Sequence, residues 1–134
     1  MKLRFSPNSV RLRLNQTELA NFAKTGELTE RIEFPGPQPT VFLYGLRVSS
    51  DSVPGTITFV SNKLIITIPR DRASAWASQD EEIGLYYQHE LEDGGHLRVM
   101  IEKDFQCVNG PPEGIDPARY SHPLAPVKRQ PDAK

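Results

Sequence analysis

What most constrains this chain is an alternation of apolar and polar residues that stops at turn-forming residues and then starts again. Leu3 and Phe5, then Val10, Leu12 and Leu14, are apolar at every second position, with Pro7-Asn8-Ser9 between the two runs. A period of two belongs to a strand with one buried face, so residues 2–14 read as a β-hairpin. Asn15 followed three residues later by Glu18 has the form of a capping box. Leu19, Phe22 and Ala23 supply one apolar face, and Gly26 supplies a stop. The spacing predicts a helix over 16–25. A helix this short is marginal alone in water, so its Leu19/Phe22 face has to pack on a sheet. Strands over 28–35 and 40–48 follow, turned by Pro35-Gly36-Pro37, with Phe42, Tyr44, Leu46 and Val48 on one side.

The same order then returns. Ile57 and Phe59, a turn at Ser61-Asn62, and Leu64, Ile66 and Ile68 form a second hairpin pattern, followed by a short helix over 70–78 with Ala73, Trp76 and Ala77. A shift of 54 positions lays Leu3 on Ile57, Phe5 on Phe59, Leu12 on Ile66, Phe22 on Trp76 and Ala23 on Ala77 without a gap. Beyond the helix a shift of 55 lays Leu28 on Ile83, Ile32 on Tyr87, Phe42 on Leu97, Tyr44 on Val99 and Leu46 on Ile101. Identities are few, so the match is one of pattern. The expectation is an α+β domain over 1–107, a duplicated ββαββ unit with pseudo-repeats 2–49 and 56–105. Its mainly antiparallel sheet of about eight strands is open or barrel-like, and two short helices cover a face. Six of the 12 prolines fall after residue 105, which marks 108–134 as an extended tail.

Composition narrows the chemistry. A chain of 134 residues can build one core without staples. The lone Cys107 makes no disulfide framework, and with His89, His96 and His122 it is a poor supply for structural zinc. Sixteen basic against 17 acidic residues, with a sequence pI near 6.3, argue against a dedicated nucleic-acid binder. Neither a signal-peptide stretch nor a membrane-spanning run is present, so a soluble cytoplasmic protein without a membrane partner is expected.

Strand alternation also identifies the side opposite the apolar stripe. It carries Lys2, Arg4, Arg11 and Arg13 from the first hairpin and Arg98, Met100, Glu102 and Asp104 from the last strand. If Arg4, Arg11, Arg13 and Arg98 converge, they suit phosphate or carboxylate; if they spread, they are a solvated face with ion pairs to residues such as Glu33 or Glu102. Glu102 and Asp104, two apart, project together as metal-binding or acid–base carboxylates would, and a polar strand end looks the same. His89 and His96 flank an acidic Gly-Gly turn and, with Glu90, form a weak metal candidate. Cys107 is most simply a small buried hydrophobe, and Trp76, matched to Phe22, is core. Ile65 falls on the polar side of the second half, an uncharged face that suits a partner or a second copy.

Asn8-Ser9-Val10-Arg11-Leu12-Arg13-Leu14 with Thr17-Glu18, and Glu102-Lys103-Asp104-Phe105-Gln106-Cys107 near the end, resemble the signature of a family of small bacterial proteins of unknown function. Members finish with an acidic stretch and a Phe-Pro-Asn-Pro-like segment, from which Pro111 to Pro126 departs. The resemblance implies a bacterial cytoplasmic protein and no particular reaction. With no phosphate loop, nucleophile elbow or histidine motif, the expectation is a non-enzymatic binding or accessory module without a cofactor. Its partner is a protein or a second copy, met through an edge strand or the Ile65 face. The alternative is anion binding or metal-assisted phosphate processing by the basic hairpin with Glu102 and Asp104. Nucleic acid is the least favoured partner.

Overall fold

The computed structural model describes residues 1–50, 54–79 and 82–104. Along the chain they form β1 (Lys2–Ser6), β2 (Ser9–Leu14), α1 (Gln16–Thr25), β3 (Glu27–Phe34) and β4 (Thr40–Ser49). The second half repeats the order with β5 (Thr56–Val60), β6 (Lys63–Pro69), α2 (Arg70–Ser78), β7 (Gly84–Glu90) and β8 (His96–Lys103). Cys107, His122 and the proline-rich segment lie outside the described residues.

The eight strands do not form one sheet, nor a closed barrel. They make two four-stranded sheets, ordered β1-β2-β8-β7 and β3-β4-β6-β5. Each half therefore places its first hairpin in one sheet and its second hairpin in the other. The pairings inside hairpins are antiparallel, whereas the central pairs that join the halves, β2 with β8 and β4 with β6, are parallel. Central strands are buried on both flanks, and the four central ones carry the uninterrupted apolar stripes Val10-Leu12-Leu14, Tyr44-Leu46, Leu64-Ile66-Ile68 and Val99-Ile101. These stripes, Leu19 and Phe22 of α1, Ala73 and Trp76 of α2, and Leu85 form one buried cluster spanning both sheets. By area bookkeeping each such large side chain contributes roughly 1.5–3 kcal/mol relative to exposure.

Local signals act where the alternation predicts. The Asn15 side chain accepts from the Glu18 N–H at 2.8 Å while the Glu18 carboxylate accepts from the Asn15 N–H at 2.9 Å, a complete capping box. Gly26 ends α1 at φ 80°, a left-handed conformation that costs glycine nothing. α2 has no side-chain cap, since Pro69 precedes it. The indole N–H of Trp76, fully buried, donates to the Ile83 carbonyl at 3.2 Å. Asn8 and Asn62, at equivalent turns, both have positive φ (55° and 63°), and their carbonyls accept from Arg98 N–H and Leu43 N–H, each at 3.0 Å. Each hairpin tip thus ties itself to the central strand of the other half. Among the described residues no helix is long and apolar enough to cross a membrane.

Strand registers correct the sequence alignment of the halves. Leu28 lies opposite Leu46 and Leu85 opposite Ile101, so Leu28 matches Leu85 and Ile32 matches His89, two residues later than the shift of 55 proposes. Period-two patterns cannot detect a slip of two, because every side chain keeps its face. The histidines are corrected too: His89 stands opposite Leu97 and His96 opposite Glu90, so the two occupy opposite faces and make no joint metal site. Ile65 is only 8% exposed, which removes it as an open docking face.

Candidate functional site

Register brings the basic residues together. On the outer face of the β1-β2-β8-β7 sheet, Arg4 is opposite Arg11 and Arg11 opposite Met100; Lys2 is opposite Arg13 and Arg13 opposite Glu102; Ser9 is opposite Arg98. Arg4, Ser6, Ser9, Arg11, Arg98 and Met100 line a shallow cavity of about 180 Å³. Lys2, Leu3, Arg4, Arg11 and Arg13 line a neighbouring one of about 280 Å³. The arginines therefore share concave surface across three strands.

Glu102 is the hub of this face. Its Oε1 lies 3.3 Å from Arg11 Nε and 3.4 Å from Arg13 Nε, and its Oε2 accepts from the Tyr86 hydroxyl at 3.0 Å. Arg13 Nε is aligned as a hydrogen bond; Arg11 Nε is close enough for ion pairing but lacks that alignment and is buried without a hydrogen-bond acceptor. Burial first, and the bond to Glu102 second, push the Tyr86 hydroxyl above its ordinary pKa, partly offset by Arg11 and Arg13. Asp104 closes the strand end: its N–H donates to the Leu14 carbonyl at 2.8 Å, and its nearly buried carboxylate pairs with the exposed Lys2 ammonium at 3.1 Å. Both carboxylates read from the sequence as metal ligands are thus engaged by cations. Among the described residues no three His, Cys, Asp or Glu side chains gather as a metal site. Glu33, the other expected counter-charge, pairs with Arg31 on its own strand at 3.3 Å. Arg4 and Arg98 have no carboxylate partner among the described residues.

Two features escaped the sequence reading. Tyr86 belongs to the basic face, yet its place beside Glu102 depends on the β7 register. The second feature is a cleft between the two sheets at the hairpin-tip end, about 490 Å³, lined by Phe5, Val10, Leu97, Phe42, Phe59 and Leu64 among others. Alternation marks these residues as inward-facing; the gap between them is set by how the sheets diverge.

Fold and site define an α+β domain of two mixed four-stranded sheets with two helices and an arginine-rich outer face. Residues 1–124 match the sequence model of a family of unknown function, DUF7009, and the chain belongs to that family. The match runs past residue 107 into the proline-rich segment. No curated protein and no solved structure matches the chain.

Proposed function

We propose that this protein is a non-enzymatic binding module that pairs with a second copy of itself through strand β5. The observation that carries this reading is the contrast between edges. Sheet edges are ordinarily protected by charge, and β1, β3 and β7 carry Lys2 and Arg4, Glu27 to Glu33, and Glu90 respectively. β5, Thr56-Ile57-Thr58-Phe59-Val60, has no charge, and Phe59 and Val60 are 62% and 67% exposed. An antiparallel β5–β5 pairing about a two-fold axis would continue the sheet into the partner and cover them. Light scattering across a concentration series tests this: a dimer is expected, and Thr56→Lys with Val60→Lys returns it to monomer with the unfolding midpoint kept. A monomer at every concentration overturns the reading. We propose as well that the two halves arose by duplication and that the protein is bacterial and cytoplasmic, a reading supported by the matched order of elements and by the resemblance in sequence.

A second reading has its own support. Five cations, Lys2, Arg4, Arg11, Arg13 and Arg98, share the outer face with three carboxylates, Glu90, Glu102 and Asp104, and the arginines share their cavities, as anion recognition by bidentate guanidinium requires. Phosphates or polycarboxylates at about 100 times their dissociation constant should add roughly 2.7 kcal/mol of stability. Arg11→Gln with Arg13→Gln should abolish that gain; a flat response to the panel, with and without magnesium, refutes the reading.

A further inference from the structure

At one end of the basic face the two arginines without a carboxylate meet two serine hydroxyls. Arg4 of β1, Ser9 and Arg11 of β2 and Arg98 of β8 come from three adjacent strands, and with Ser6 and Met100 they line the cavity of about 180 Å³. Register builds it in two rows: Ser6 opposite Ser9 and Ser9 opposite Arg98, then Arg4 opposite Arg11 and Arg11 opposite Met100. The Arg98 N–H donates to the Asn8 carbonyl at 3.0 Å, which fastens the hairpin tip to β8 and keeps Ser9 beside Arg98. On the other sheet the equivalent positions are Thr58, Val60, Lys63, Ile65, Leu43 and Gly45, with one cation in place of three. The cluster therefore belongs to this sheet and not to the repeated fold.

The donors around this cavity are under-used. Ser9 is only 6% exposed, and its hydroxyl, like that of Ser6, has no hydrogen-bond partner among the described residues. The hydroxyl of so enclosed a residue is ordinarily bonded to protein; here it is left for whatever enters the cavity. Arg11 donates from Nη2 to the Met100 thioether at 3.5 Å, a weak acceptor, and its buried Nε has no acceptor. Arg4 and Arg98 are exposed. The neighbouring cavity differs, because Arg13 there is bonded to Glu102 and Lys2 is paired with Asp104. Beyond Arg98 the next outer-face carboxylate is Glu90, opposite His96 and one row past Gln88, which stands opposite Arg98.

We propose that this cavity binds a phosphate group, free or as the end of a small monoester, held by Arg4 and Arg98 with Arg11 and the Ser6 and Ser9 hydroxyls completing the set. Its volume, about 180 Å³, lies below the roughly 300–1,000 Å³ of pockets that enclose a whole small molecule, so it takes one group of a ligand. One bidentate guanidinium satisfies both oxygens of a carboxylate. A phosphate group brings nearly two negative charges and three acceptor oxygens, enough for guanidiniums on either side and a hydroxyl between them. This inference rests on the anion reading of the basic face and narrows it to one cavity and one ligand class, without Arg13 and without a metal on Glu102 and Asp104.

Calorimetric titration of the full chain with glycerol phosphate, inorganic phosphate and succinate tests the proposal. Both phosphates should bind, and succinate should be weaker by roughly tenfold. An ester tighter than inorganic phosphate identifies the ester as the natural load, and equal affinity identifies free phosphate. Arg4→Gln and Arg98→Gln, both at exposed positions, should each weaken phosphate by roughly tenfold, and Ser9→Ala by roughly fivefold, with the unfolding midpoint of the free protein kept. Arg13→Gln should leave phosphate binding nearly unchanged. Heat with none of the three anions overturns this inference together with the anion reading. Binding that depends on Arg11 and Arg13 but ignores Arg4, Arg98 and Ser9, or succinate matching phosphate, overturns the phosphate cavity alone and leaves the broader anion surface standing.

Discussion

The outer faces of the two sheets occupy equivalent positions and have opposite chemistry. Lys2, Arg4, Arg11 and Arg13 on one sheet correspond to Thr56, Thr58, Ile65 and Thr67 on the other, while Met100 corresponds to Gly45 and Glu102 to Arg47. At the centre of the inner faces there is no such divergence: Leu12 and Ile66, Leu14 and Ile68, Leu46 and Ile101, Phe22 and Trp76 are all buried apolar pairs. Packing holds the inner residues to one chemistry because a charge there would lose its water without a partner. On the outer faces solvent is available, so each sheet is free to take its own surface, one a cation-rich field and the other a largely neutral one. The same contrast recurs at one inner corner. Glu30 accepts from the Tyr44 hydroxyl at 2.9 Å and pairs with the Met1 amino group, which also meets Glu18. At the corresponding corner Tyr87, matched to Glu30, stacks its ring over Gly55, where any Cβ would sit 2.7 Å from it.

If the halves are interlocked as their strand exchange indicates, the largest effects should be equal in both. Phe22→Ala and Trp76→Ala should each cost about 3–5 kcal/mol in urea unfolding, in one cooperative transition. A variant that melts one half and spares the other would break the comparison. A smaller asymmetry should separate the outer faces. Gly45 lies against β3 so closely that a Cβ would strike the Leu28 carbonyl and approach Thr29 Cα at 2.7 Å, so Gly45→Ala should cost roughly 1–3 kcal/mol. Met100→Ala, at the equivalent half-buried position, should stay within about 1 kcal/mol, as read by the same unfolding curves.

The smallest effect distinguishes the inner corners by pH. Burial, then the hydrogen bond and charge of Glu30, push the Tyr44 hydroxyl up to about 12 from an ordinary 10.0. A raised folded-state pKa means stability that is complete below pH 10 and lost as pH climbs toward 12. Tyr44→Phe should remove that part of the alkaline decline and delete the latest-titrating phase in tyrosinate absorbance. An unchanged alkaline profile would show that the Glu30 corner holds no such proton.

Much of the local structure was legible because its causes are local. The capping box at Asn15 and Glu18, the glycine stop at Gly26 and the turn asparagines act over three or four residues, and α1 begins and ends where they place it. The basic face was legible as a list of residues, since alternation alone assigns Arg4, Arg11, Arg13 and Arg98 to one side. Their convergence was not, because it needs β8 beside β2, a pairing between residues about 90 positions apart. Lys2 with Asp104 and Tyr86 with Glu102 were invisible for the same reason.

By itself, then, the sequence determined which residues form strands and helices, which face of each is apolar, and that the order of elements occurs twice. Its short-range periods carry that information, and a period of two survives any even slip in register. Only the tertiary structure decided that each half divides its hairpins between two sheets, that the joining pairs are parallel, and that a cleft opens where the halves meet. Those outcomes depend on which apolar stripe finds which partner across the chain, a choice made by burying all four central strands in one core.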